Sequence, residues 1–131
     1  MSRAAALLAL ATFVAACGGG ADKPSGPAGV ADVVVRVDPD GPSGPKPARE
    51  LHLSCTKPES SQACGAAAGI SAADLRPTPK GVACTQIYGG PQTATIVGVI
   101  RGDQVNARFS RTNGCEIKRW NGVADLLDQV H

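Results

Sequence analysis

Hydrophobic and polar residues alternate along three short runs of this chain, the pattern a half-buried strand imposes. Val33, Val35 and Val37 interleave with Asp32, Val34 and Arg36. Glu50-Leu51-His52-Leu53-Ser54-Cys55 alternates again, and Gln104 to Ser110 does so strictly, with Val105, Ala107 and Phe109 on one face. Thr93 to Ile100 is different: it is β-branched on both faces and interrupted by Gly98. That pattern predicts a central strand, or one whose second face is covered by a partner. Arg101-Gly102-Asp103 supplies a turn, so the last two runs predict an antiparallel hairpin. Two stretches carry helical spacing instead. Cys64 to Leu75 is Ala-rich and predicts a short helix, with Gly65 and Gly69 counting against it. Ser71 is placed to cap a later turn with Asp74 three residues on, and Arg76-Pro77-Thr78-Pro79 breaks it. Val123, Leu126, Leu127 and Val130 recur at i, i+3, i+4 and i+7, which predicts a helical face between Trp120 and His131, with a final edge strand as the alternative. Asp38 to Pro45 is loop, punctuated by Pro and Gly. The pattern predicts an α+β fold dominated by an antiparallel sheet, in one domain over residues 30–131.

The first 29 residues read differently. Met1 to Ala16 has one early charge, Arg3, then no charge from Ala4 onward, as in an export signal. The apolar run is too short for a membrane span, which needs about 20 residues. It stops at Val14-Ala15-Ala16-Cys17, followed by Gly18-Gly19-Gly20. Small residues before a cysteine resemble a bacterial lipobox, and the resemblance implies cleavage before Cys17 and a diacylglyceryl thioether on its sulfur. The alternative is an ordinary secretory signal cleaved after an Ala-x-Ala-like site. Cys17 is also the odd one of five cysteines, and setting it aside leaves Cys55, Cys64, Cys84 and Cys115, an even number suited to an oxidising compartment. Residues 17–29 are rich in Gly, Ala, Pro and Ser and read as a flexible tether. The expected location is the outer face of a bacterial cell membrane, with secretion as the alternative.

Charge and chemistry then narrow the function. A net charge of +2, with dispersed Arg residues in the C-terminal half, argues against nucleic-acid binding. The two histidines are poorly placed for catalysis: His131 is terminal and His52 alternates with Leu51 and Leu53 toward solvent. No Gly-x-Ser-x-Gly, His-x-x-x-His or Cys-x-x-Cys occurs, and no glycine loop opens a helix to cradle phosphate. Asp125 and Asp128 lie one helical turn apart, as solvated acidic faces commonly do. The expectation is a protein that is not an enzyme and takes no cofactor and no metal. Arg101-Gly102-Asp103 matches an adhesive tripeptide, but Gly and Asp at a hairpin tip have turn reasons to be there.

What remains is Val82-Ala83-Cys84-Thr85-Gln86-Ile87-Tyr88-Gly89-Gly90-Pro91. This stretch is too polar for core, too short for a helix, anchored by a cysteine and ended by Gly-Gly-Pro. Such a segment is suited to presenting a peptide bond to another protein. Four cysteines allow three pairings; the most economical joins Cys55 to Cys64 and Cys84 to Cys115. In the chain-entropy model these contribute roughly 2–3 and 3–4 kcal/mol.

The region from Cys84 to Glu116 resembles the secreted bacterial subtilisin-inhibitor-like proteins, and the resemblance extends loosely over Val30 to Trp120. A cysteine, a short exposed run, a Tyr and a Pro before an apolar strand fit that family's reactive site. Gly102, Phe109, Asn113-Gly114-Cys115-Glu116, Cys55 and Ala63-Cys64 fit its other marks. The resemblance implies the same disulfide pairing, a sheet of about five strands with two short helices, and a homodimer through the sheet. It implies that Gln86 enters the specificity pocket of a subtilisin-like serine protease and that Gln86–Ile87 is the reactive-site bond. Ala83, Cys84, Thr85 and Tyr88 would then be the flanking contacts, and Asn113 would brace the loop from behind by hydrogen bonds. The chain departs from the pattern in a short, His-Pro-free loop between Cys55 and Cys64, in Gly89-Gly90 where one residue is usual, and in Thr85 where Pro is frequent. A second reading, from another class, is a non-inhibitory envelope lipoprotein that binds a surface partner.

Overall fold

The four strand-like runs all become strands in the computed structural model, which describes residues Gly29–His131. They are β1 (Ala31–Asp38), β2 (Arg49–Cys55), β3 (Thr93–Ile100) and β4 (Asp103–Phe109). Every neighbouring pair is antiparallel and the order is β2-β1-β3-β4. The expectations for the signal segment, the tether and Cys17 fall outside the described residues.

Alternation sets the two faces of this sheet. Ala31, Val33 and Val35 of β1, Leu53 and Cys55 of β2, Ala94, Ile96 and Ile100 of β3, and Val105, Ala107 and Phe109 of β4 are all buried on one side. Three helices follow the chain on that side: α1 (Gln62–Gly69), α2 (Ala72–Leu75) and α3 (Gly114–Leu127). Cys64, Ala67, Val123, Leu126 and Leu127 from α1 and α3 close the core, together with Ile70 and Val130. The opposite face carries exposed His52 and Asn106 at the ends of a row whose middle is Val34 and Val97. His52 therefore does point to solvent, 2.9 Å from Glu50.

The α+β class and the two disulfides, Cys55–Cys64 and Cys84–Cys115, stand as expected. The counts do not: among the described residues there are four strands rather than five, and three helices rather than two. Each of the four strands has its own alternating or β-branched run, whereas the fifth rested on resemblance alone. The remaining long stretches, residues 39–48 and 76–92, are broken by Pro and Gly and form no ladder. The C-terminal edge-strand alternative also gives way, because Val123, Leu126 and Leu127 lie buried on α3. That helix begins at Gly114, well before Trp120. Its first turns lack an apolar stripe, and its start is set instead by Asn113, whose Oδ1 accepts from the Glu116 amide at 3.0 Å. Ser71 caps α2 in the same way, accepting from Asp74 N at 3.2 Å.

The β3–β4 turn has positive φ at both central residues, Arg101 (48°) and Gly102 (82°), as a two-residue hairpin with a mirror-image turn requires. The Arg101 guanidinium donates to the carbonyls of Ala68 at 2.8 Å and Ile70 at 2.6 Å. It satisfies acceptors at the end of α1 rather than standing free as an adhesive arginine would. Gly98 sits in β3 at φ 141°, where an added Cβ would strike the Asp32 carbonyl oxygen of β1. Gly98→Ala is therefore expected to cost about 2–4 kcal/mol through strain and displaced backbone in the central strand pair. Urea unfolding monitored by far-UV circular dichroism checks this, with Gly69→Ala, at a site open to solvent, as the near-neutral control.

Candidate functional site

Between α2 and β3 the chain runs from Arg76 to Gln92 without helix or strand. A segment of that length needs some other source of order, because its backbone has no ladder to join. The order comes from one stretch of sequence, Arg111 to Glu116, which lies across the turn after β4 and the first turn of α3. Five tethers connect the two stretches. Thr78 Oγ1 donates to Glu116 Oε1 at 2.8 Å. Cys84 is covalently joined to Cys115. The Gly114 amide donates to the Thr85 carbonyl at 2.9 Å. The Gly89 amide donates to the Arg111 carbonyl at 2.7 Å. Arg111 Nη1 reaches Gln92 Oε1 at 3.5 Å.

The tethers at Thr85 and Gly89 bracket Gln86, Ile87 and Tyr88. All three are exposed, and their backbone groups make no hydrogen bond among the described residues. The Gln86 side chain folds back toward the Cys84 carbonyl at 3.4 Å. Ile87 is 58% exposed, Tyr88 66% and Val82 52%. The other large exposed apolar residue among the described ones, Val97, lies on the open sheet face. Exposed apolar side chains gathered on one extended segment mark an interaction surface better than the same residues scattered.

The clamp depends on small residues at close approach. Gly114 has no room for a side chain, since a Cβ there would collide with the Thr85 hydroxyl. Gly114 also opens α3, so its amide is one of the donors a helix start leaves unpaired, and the Thr85 carbonyl takes it at the positive end of the helix dipole. Gly89 is pressed onto α3, where a Cβ would come 3.0 Å from Ile117 Cδ1. Gly90, at φ 133°, turns the chain toward Pro91. Gly89 thus belongs to a tight contact against the helix.

The residues expected to act together do share this surface: Ala83, Thr85, Gln86, Ile87 and Tyr88 are exposed along it, and Cys84 is half-buried at its anchor. Asn113 takes a different part from the one expected. The hydrogen bond its side chain makes goes to Glu116 N, as the cap of α3, and the loop is held by backbone groups of its neighbours Gly114 and Arg111. Sequence reasoning missed Arg111, Gly114, Glu116 and Ile117 as supports and Val82 as an exposed contact. The Asn113-x-x-Glu116 spacing was a readable signal for the helix start, and through it for Gly114. Two shallow depressions of about 420 and 480 Å³ lie elsewhere, one beside the β3–β4 turn and one lined by Asp125, Asp128 and Gln129. No group of three His, Cys, Asp or Glu residues converges in metal-binding geometry among the described residues.

Replacing both Cys84 and Cys115 by Ala is expected to lower stability by about 3–4 kcal/mol in the chain-entropy model. The sheet should persist while cleavage within residues 79–88 becomes the fastest proteolytic event. Chemical denaturation and mass mapping of limited digests check the two parts. Comparison with protein-family models, curated proteins and solved structures finds no match to this chain.

Proposed function

We propose that this protein is a serine-protease inhibitor that offers the Gln86–Ile87 bond to a subtilisin-like enzyme as a substrate would. The observation that carries the reading is the exposed run Gln86-Ile87-Tyr88, clamped on both sides, with its backbone groups unpaired. Such a run adds to a protease cleft as an extra strand through backbone hydrogen bonds. Because it is shaped before it binds, little ordering entropy is lost on association. Gln86 enters the specificity pocket, with its carbonyl in the oxyanion hole and its carbon facing the catalytic serine. If the bond opens, the tethers at Cys84–Cys115 and Gly89–Arg111 keep the new Ile87 amine beside the acyl-enzyme, so resynthesis competes with release.

Gln is long and neutral. It does not pair with the buried acid of a trypsin-like pocket, whereas a broad apolar pocket accommodates its methylenes. The proposal extends to a lipid anchor at Cys17 and to pairing of two copies through the open sheet face around Val34, Val97 and Val99.

Titration of subtilisin with the protein should give stoichiometric loss of activity, and Gln86→Arg should raise trypsin affinity by about a hundredfold or more, the scale of one buried charge pair at an interface. A chain that is digested without inhibiting, or ignored, contradicts the reading and favours the envelope-binding alternative. No change toward either protease in the Arg variant removes Gln86 from the pocket role.

A further inference from the structure

Glu116 and Arg119 form an ion pair at 2.9 Å on consecutive turns of α3, beneath the upstream limb of the loop. Their side chains are only 20% and 11% exposed. Arg119 is held on three sides: its Nη1 donates to Glu116 Oε2 and, at 3.1 Å, to the Arg108 carbonyl of β4, while its guanidinium carbon lies 4.8 Å from the centre of the Phe109 ring. The other carboxylate oxygen of Glu116 accepts the Thr78 hydroxyl at 2.8 Å. A continuous line therefore runs from the core ring of Phe109 through Arg119 and Glu116 to Thr78. Its last link ties residues 77–83 to the first turn of α3.

As a source of stability this arrangement is a poor choice. Charges taken out of water recover little from each other, and an apolar pair of the same volume would serve as well or better. Arg119 Nε is also buried without a partner, a further cost. What the pair provides is direction. The planar guanidinium fixes the carboxylate, and the carboxylate offers its remaining oxygen at one place. Without that contact, residues 79–83 would be held only by their chain neighbours at α2 and Cys84 and by the local bond from the Val82 amide to the Pro79 carbonyl at 3.5 Å.

We propose that Glu116 and Arg119 are positioning residues of the protease-binding loop. They set the line along which its upstream limb, including Val82, enters a partner's cleft, and they act through Thr78. The role in inhibition rests on the function proposed above; the positioning of the limb does not.

Three variants of the full chain separate the possibilities: Thr78→Val, which removes only the hydroxyl, Glu116→Gln and Arg119→Lys. Backbone ¹⁵N relaxation, read residue by residue, reports the loop without any protease. The expected result is lower order parameters at Gly81, Val82 and Ala83 in all three variants, with those of the sheet unchanged. Subtilisin inhibition should weaken by about tenfold, the scale of one hydrogen bond to a charged group, with faster cleavage of the Gln86–Ile87 bond. Unchanged order parameters in Thr78→Val and Glu116→Gln overturn the proposal. So does a fall spread equally over the sheet, which would make the pair a general stabiliser. If the parent chain does not inhibit subtilisin, the inhibitor reading falls and the relaxation data alone decide the positioning role.

Discussion

The attachment of the 76–92 segment to the start of α3 is the constraint on which the exposed surface depends. A chain segment outside any ladder keeps one shape only if something rigid holds it at several points. Here the rigid body is α3, whose Val123, Leu126 and Leu127 are buried against the sheet. Asn113 fixes where that helix begins, Gly114 and Cys115 hold the loop at that beginning, and Glu116 holds the limb above it. Order passes from the core, through the helix, into a loop that contributes almost nothing to the core itself. The fold's small size makes this economical, because one helix both closes the core and carries the site.

The glycines show how close the fit is. Gly98 lets β1 and β3 approach where a side chain would meet the Asp32 carbonyl, and Gly114 lets α3 approach the loop where a side chain would meet Thr85. One allows the central strand pair and the other allows the clamp. Both lie on the same path, since β3 follows directly from the loop and α3 follows directly from the β3–β4 hairpin.

Much of this was readable from residues alone. Val33, Val35 and Val37 and the alternation of Gln104 to Ser110 specify faces of strands locally, because period two is a property of a few adjacent residues. The hairpin at Arg101-Gly102 was equally local. The C-terminal helix was legible where its apolar face meets the core, at Val123 to Val130, and illegible at Cys115 to Arg119, where its partners are a disulfide, a capped amide and polar groups of a distant loop. The site divides the same way. Its exposed residues announce themselves by being unsuited to core or helix, and the cysteine marks their anchor. The supports Arg111 and Glu116 reach the loop across 19 and 38 residues, which no local pattern encodes, whereas Gly114 was reachable through the Asn113-x-x-Glu116 cap. The fifth strand had no residues behind it, and the described residues form none.

Whether the loop holds one shape before it meets a partner is the point on which everything else turns. Backbone ¹⁵N relaxation of the free protein measures it directly at Gln86, Ile87 and Tyr88. Clamping at Thr85 and Gly89 predicts order parameters near those of the sheet, about 0.85, at all three residues. Values below about 0.6 across them, with the sheet unaffected, would mean that the tethers hold the ends of a flexible loop and would contradict the account.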